Sequence, residues 1–173
     1  MSIFDTEFMK GKATKLTITA SFEVYSSAED LPVEEQELLA KARKAVKTAY
    51  APYSGFHVGA AVLLNNGKVV SGNNQENAAY PSGLCAERVA LFYANASYPN
   101  VGVKTIAVSV KSNTQVITEP VSPCGSCRQV IAEYENLYGA PIRIIMSGEK
   151  GKVYVSQSIE NLLPLVFNKK HLK

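Results

Sequence analysis

Apolar residues along the chain switch between two periods, and the switches divide it into elements. Residues 16 to 24 alternate Leu16, Ile18, Ala20, Phe22 and Val24 with polar partners, which predicts a half-buried strand. Pro32 is placed to begin a helix. Glu34, Glu35 and Glu37 follow near its positive end, and Leu38, Leu39, Ala42, Ala45, Val46 and Ala49 recur at helical spacing before Pro52. Two apolar runs, 56–64 and 69–72, flank Asn66-Gly67, a dipeptide that favours a hairpin turn.

After an irregular stretch, 85–96 reads as a helix, 104–110 as a strand, and 124–138 as a helix closed by Gly139. Residues 141–147 and 153–156 follow as strands, and 158–163 as a short helix ended by Pro164. This order predicts one α/β domain of helices on a mixed sheet, with crossover helices joining parallel strands. Crossovers of that kind bring the starts of the helices at Cys85 and Cys124 to one side of the sheet, where they can meet.

Length and charge narrow the function. A chain of 173 residues has room for one domain, and 46% hydrophobic residues can build its core. The longest apolar stretch, 59–64, is far below the ~18 residues of a membrane span. The start of the chain lacks the pattern of a secretory signal, so a soluble cytoplasmic protein is expected. A net charge of +3, spread along the chain, does not suggest nucleic-acid binding. Asp occurs only at 5 and 30 and His only at 57 and 171, so Ser-His-Asp triads and Asp-rich cation loops lack their parts. The basic tail at Lys169, Lys170 and Lys173 reads as a solvated terminus, and His57 as a solvated or interface residue.

Three cysteines remain, an odd number that argues against a disulfide framework. Cys124 and Cys127 are spaced i, i+3 at a helix start, and Cys85 heads another helix. Unpaired N–H groups and the helix dipole favour thiolates there, and three thiolates suit zinc. No fourth protein ligand is evident, and a shell of three leaves a position for water, as catalytic zinc sites do. Glu87, two residues beyond Cys85, is within reach of such a water. Zinc lowers the pKa of bound water to about 7, and a carboxylate can take its proton. The C-x-E and P-C-x-x-C pair resembles the signature of zinc deaminases. Arg88 and Arg128 each adjoin a site residue. Arg88 is expected to hydrogen-bond thiolate sulfur and offset the site's negative charge, whereas for Arg128 that role and an ordinary surface arginine stand about equal.

In the blocks A-P-Y-S-G-F-H-V-G-A-A (51–61), G-N-N-Q-E-N-A-A-Y-P (72–81), C-A-E-R (85–88), P-C-G-S-C-R-Q-V (123–130) and L-L-P-L-V-F (162–167), the chain resembles the small homotetrameric cytidine deaminases over about residues 31 to 167. The resemblance implies a three-layer α/β/α fold and hydrolysis of cytidine and deoxycytidine to uridine and deoxyuridine with release of ammonia, as in pyrimidine salvage. It implies that Cys85, Cys124 and Cys127 bind Zn²⁺, that a metal-activated water attacks C4 with Glu87 as proton shuttle, and that Arg88 bonds the thiolates. Phe56 would pack on the pyrimidine, Asn74 and Glu76 would hold the ribose hydroxyls, and Ala86 would offer its backbone N–H. Phe167 would cover the base from a neighbouring subunit.

Without the resemblance, Phe56 reads as a core residue, and Asn74 with Glu76 as turn chemistry at a strand end. The first 30 residues, with their extra strand, depart from the family pattern and read as an edge strand or subunit contact preceding one domain over 31–173. The alternatives are a deaminase of blasticidin-type or other modified nucleosides, a structural zinc-binding module, and a Cys124–Cys127 redox pair.

Overall fold

A computed structural model describes residues 13–172, so residues 1–12 of the N-terminal extension and Lys173 of the basic tail lie outside it. Six strands form one mixed sheet: β1 (Glu23–Tyr25), β2 (Phe56–Leu64), β3 (Val69–Asn73), β4 (Val103–Ser112), β5 (Arg143–Ser147) and β6 (Val153–Ser156). Their order across the sheet is β1-β6-β5-β4-β2-β3. Three helices accompany them: α1 (Val33–Val46), α2 (Ala86–Ser97) and α3 (Gly125–Tyr138). Among the described residues no helix is long and apolar enough to cross a membrane.

The period-2 pattern of β2 explains the layers. Ala60, Val62 and Leu64 join Ala90, Leu91 and Ile131 of α2 and α3 in one buried cluster. Ala61 and Leu63, pointing the other way, join Leu38, Leu39 and Ala42 of α1 in a second. The result is the expected three-layer α/β/α arrangement. Each fully buried Leu or Ile stabilises it by about 1.5–3 kcal/mol.

Two glycines set how closely the helices approach. A Cβ on Gly59 would lie 2.1 Å from the Ala42 carbonyl oxygen of α1, and one on Gly72 would lie 2.6 Å from the Ala90 nitrogen of α2. These residues sit on neighbouring strands, since Ala60 is the partner of Gly72, and they seat one helix on each face of the sheet. Larger side chains would force both helices outward.

The hairpin turn at Asn66-Gly67 is present, with Gly67 at φ 78°, and Gly139 closes α3 at φ 64°. Strands β4 and β5 run parallel through α3, whereas β2 is antiparallel to both neighbours. Consequently α2 carries the chain from β3 to β4 across the intervening β2, and both crossovers deliver their helix starts to the same side.

Three expectations change. The strand predicted over 16–24 is confined to Glu23–Tyr25, which pairs with Val153–Val155 of the four-residue β6. Residues 13–22 have no regular structure, and Leu16, Ile18, Phe22 and Val24 are exposed. An alternating pattern becomes a ladder only where a partner backbone is present, and β6 is too short to extend it. The helix predicted over 158–163 is a single 3₁₀ turn, Ile159–Asn161. Pro32, Cys85 and Cys124 are the residues just before their helices, not the first residues within them.

Candidate metal and substrate site

The starts of α2 and α3 converge on three free thiols. The sulfurs of Cys85, Cys124 and Cys127 all lie within 4.8 Å of one another, and Cys85 and Cys124 are 3.7 Å apart. Ligands at ~2.3 Å in a tetrahedron around zinc stand about 3.8 Å apart, so this edge already has the required length. Cys85 and Cys124 occupy the capping positions, and Cys127 is fully buried one turn into α3. The donor set therefore fits a soft divalent ion and leaves room in a four-ligand shell for one exogenous oxygen.

The thiols share charge unevenly. Cys85 is drawn down from 9.0 to about 5, chiefly by the hydrogen bond from Cys127, with burial opposing and Arg88 and Cys124 assisting. Cys127 is pushed up by the same hydrogen bond and by its burial. Arg88 Nη2 lies 3.6 Å from Cys85 Sγ, the geometry expected of a cation that offsets thiolate charge. Arg128 is engaged elsewhere. Its Nε donates to the Pro123 carbonyl at 2.7 Å, Nη1 to the Leu162 carbonyl at 2.7 Å, and Nη2 to Ser122 Oγ at 2.9 Å. It fastens the loop before Cys124 to the segment that follows the last 3₁₀ turn of the core.

Glu87 is only 4% exposed, and burial is the main cause that raises its pKa. It faces a cavity of about 630 Å³ whose lining also includes Cys85, Cys124, Arg88, Phe56, Asn74 and Glu76. Ala86 opens α2 and is fully buried, so its N–H is one of the helix-start donors without an intrahelical partner.

At the other end of the cavity, Glu76 Oε2 accepts from the backbone N–H groups of Tyr53 at 2.9 Å and Ser54 at 3.2 Å, and Oε1 accepts from the Ser54 hydroxyl. The Ser54 hydrogen bond leads the causes that lower its pKa. Asn74 Oδ1 accepts from Val58 N–H at 2.8 Å, and Nδ2 donates to the Phe56 carbonyl at 2.9 Å. Each amide group keeps capacity for one further bond toward the cavity.

Phe167 is not brought to this cavity by its own chain. It is 57% exposed and stacks on His171, with ring centroids 5.4 Å apart. His57, one residue from Phe56, faces the opposite side of the sheet and lines a second cavity. Sequence reasoning missed Ser54, Tyr80 and Val121 in the lining of the main cavity. Ser54 stands inside the quoted 51–61 block. Val121 lies in a loop whose spacing carries no periodic signal.

Residues 32–137 match the profile described as the cytidine and deoxycytidylate deaminase zinc-binding region. The chain belongs to this family. Cytidine deaminase of Sporosarcina psychrophila is 40% identical over 141 residues, 81% of this chain and 96% of the relative. The crystal structure of cytidine deaminase from Burkholderia pseudomallei is 41% identical, with a TM-score of 0.66 over 76% of this chain and 97% of its own. Blasticidin-S deaminase of Bacillus cereus matches at 30% over 115 residues, 65% of this chain and 78% of the relative. The chain is thus a hydrolytic deaminase of a zinc-binding family, and zinc is its cofactor.

Proposed function

We propose that the chain converts cytidine and deoxycytidine, with water, to uridine or deoxyuridine and ammonia. The observation that carries this reading is the joint placement of three thiols, buried Glu87 and the Phe56, Asn74 and Glu76 cluster around one cavity. Cys85, Cys124 and Cys127 hold the zinc, which when bound makes water acidic enough to react near neutral pH. Glu87 receives the water proton and passes it to pyrimidine N3. A second transfer through the same carboxyl places a proton on the departing amino nitrogen. Burial raises the pKa of this carboxyl above the ordinary carboxylate value, the direction that eases its taking up a proton.

Phe56 supports the base, the Ala86 N–H meets a polar atom of the ring, and Arg88 balances the thiolates. Asn74 and Glu76 meet the ribose hydroxyls as donor and acceptor. The Sporosarcina psychrophila cytidine deaminase favours this substrate over blasticidin-type nucleosides, since it matches at 40% identity over 81% of the chain against 30% over 65% for the blasticidin-S deaminase. Among the described residues Arg88 is the only Lys or Arg side chain in the cavity lining, and it is committed to sulfur, which favours a free nucleoside over its 5′-monophosphate.

The active unit in this reading is a homotetramer in which Phe167 closes a neighbour's site, and its place is cytoplasmic pyrimidine salvage. Residues 1–30 form an extension to a deaminase domain over 31–173, consistent with a family match that starts at residue 32. Elemental analysis paired with an ultraviolet assay tests the proposal. One zinc per chain and loss of absorbance with cytidine are expected. Metal-free active protein, or a zinc protein inert toward cytidine and deoxycytidine, overturns it.

A further inference from the structure

On the face of the sheet opposite the thiols lies a second cavity of about 520 Å³. Arg43, Val46 and Lys47 of the α1 end line it, with His57 of β2, Ser109, Val110 and Lys111 of β4, and Asn113 and Glu149 beyond the strands. None of these residues has a part in the deamination described above. Three cationic side chains, two from the α1 end and one from β4, meet there against one carboxylate. The negative end of α1 accounts for Arg43 and Lys47 by itself, but not for Lys111 on the neighbouring strand.

Arg43 is held at the cavity edge by Nη2, which reaches Ser147 Oγ at 3.3 Å, while its Nε is buried without a partner among the described residues. Nη1 makes no hydrogen bond among the described residues and is left as a charged donor for an anion in the cavity.

We propose that this cavity binds a phosphoryl-bearing anion, with Arg43 as the anchoring fork and Lys111, Lys47 and His57 as further donors. Arg matches phosphoryl oxygens through paired N–H groups, and a dianion suits a cavity in which cations outnumber carboxylates. Val46 and Val110 give the cavity an apolar wall, room for the organic part of a phosphate ester beside the phosphoryl group.

The chain has two histidines, His57 and His171, and this supplies the experiment. His171 lies between Lys170 and the chain end, so nonspecific attraction to basic surface moves its imidazole signals as much as those of His57. Zinc-loaded full-length protein is titrated at fixed pH and ionic strength, first with inorganic phosphate and then with phenyl phosphate, while both imidazoles are followed by NMR. Saturable shifts at His57 with His171 unmoved are expected. Binding is expected to weaken about tenfold in Arg43→Gln and, separately, in the surface variant Lys111→Gln, the loss of one charge-assisted contact. Tighter binding of phenyl phosphate identifies an organic phosphate as the ligand class, and equal binding identifies the free anion. Linear shifts without saturation, equal movement of both histidines, or unchanged affinity in a folded Lys111→Gln and Arg43→Gln pair overturns the proposal.

Discussion

The side-chain amide of Asn74 pairs with the backbone of Phe56, donating to its carbonyl at 2.9 Å while accepting from Val58 N–H at 2.8 Å. The backbone N–H of Asn74 also donates to the Val58 carbonyl at 3.1 Å. The residue thereby extends the β3 ladder past its last strand residue and fixes the backbone under the Phe56 ring. Asn74 serves the site twice, as part of its wall and as the brace of its aromatic floor.

Asn74→Ala is accordingly expected to reduce both stability and substrate binding. Two hydrogen bonds at about 0.5–1.5 kcal/mol each give a loss of about 1–3 kcal/mol in urea unfolding. The KM for cytidine is expected to rise several-fold or more, because Phe56 loses its support. Unchanged unfolding with a raised KM assigns Asn74 to substrate alone. An unchanged KM removes it from the site.

Glu87→Gln separates chemistry from architecture. The amide keeps the size of the side chain and lies outside the thiol cluster, so zinc content and fold are expected to persist. Turnover is expected to fall by about 10²–10⁴-fold, the usual contribution of a proton-transferring group. Retention of a tenth of the activity places the shuttle elsewhere.

The thiols and Glu87 were legible because helix starts can be read from apolar period, and i, i+3 spacing fixes two sulfurs on one face. Asn74 and Glu76, elsewhere in the cavity lining, were less so. Asn74 and Glu76 carry no pattern beyond position after a strand, and nothing in the spacing foretells that Glu76 is gripped by Tyr53 and Ser54, 23 and 22 residues earlier. Alternation at 16–24 shows the period of a strand but is silent about the partner, which is why only Glu23–Tyr25 forms a ladder. Arg128, adjacent in sequence to Cys127, shows the opposite failure. Nearness along the chain left sulfur and solvent equally open, whereas the side chain reaches Pro123, Leu162 and Ser122.

The edge of the sheet is expected to be acid-sensitive. Arg143 of β5 binds Glu23 of β1 at 2.7 Å and Glu35 of α1 at 2.6 Å, tying the edge strand and the first helix to the core. The Arg143 hydrogen bond is the largest cause that holds Glu23 down to about 2 from 4.5. A depressed folded-state pKa means stabilisation present in full above about 4.5 and lost as pH falls toward 2. Glu23 is 41% exposed, so solvent screening keeps the contribution modest. Unfolding measured from pH 5 to 2 is expected to show a shallower decline in Glu23→Gln than in the parent chain. Parallel curves show that the pair contributes nothing to acid stability.

Phe167 allows a test of shared sites. Its ring is largely exposed, and its carbonyl accepts from Gln129 Nε2 at 2.8 Å, which holds the segment against α3 without covering the ring. A phenyl group left in water gains free energy when another chain buries it. If that partner surface is a neighbour's substrate cavity, Phe167→Ala costs about 1–3 kcal/mol of substrate binding, the range for stacking an aromatic on a base. Separately purified Glu87→Gln and Phe167→Ala proteins are each expected to be impaired, and subunit exchange between them is expected to restore part of the activity. Restoration arises because some sites then combine an intact Glu87 from one chain with an intact Phe167 from another. A monomer by light scattering at assay concentration, or no recovery after exchange is confirmed by mass, removes the shared site.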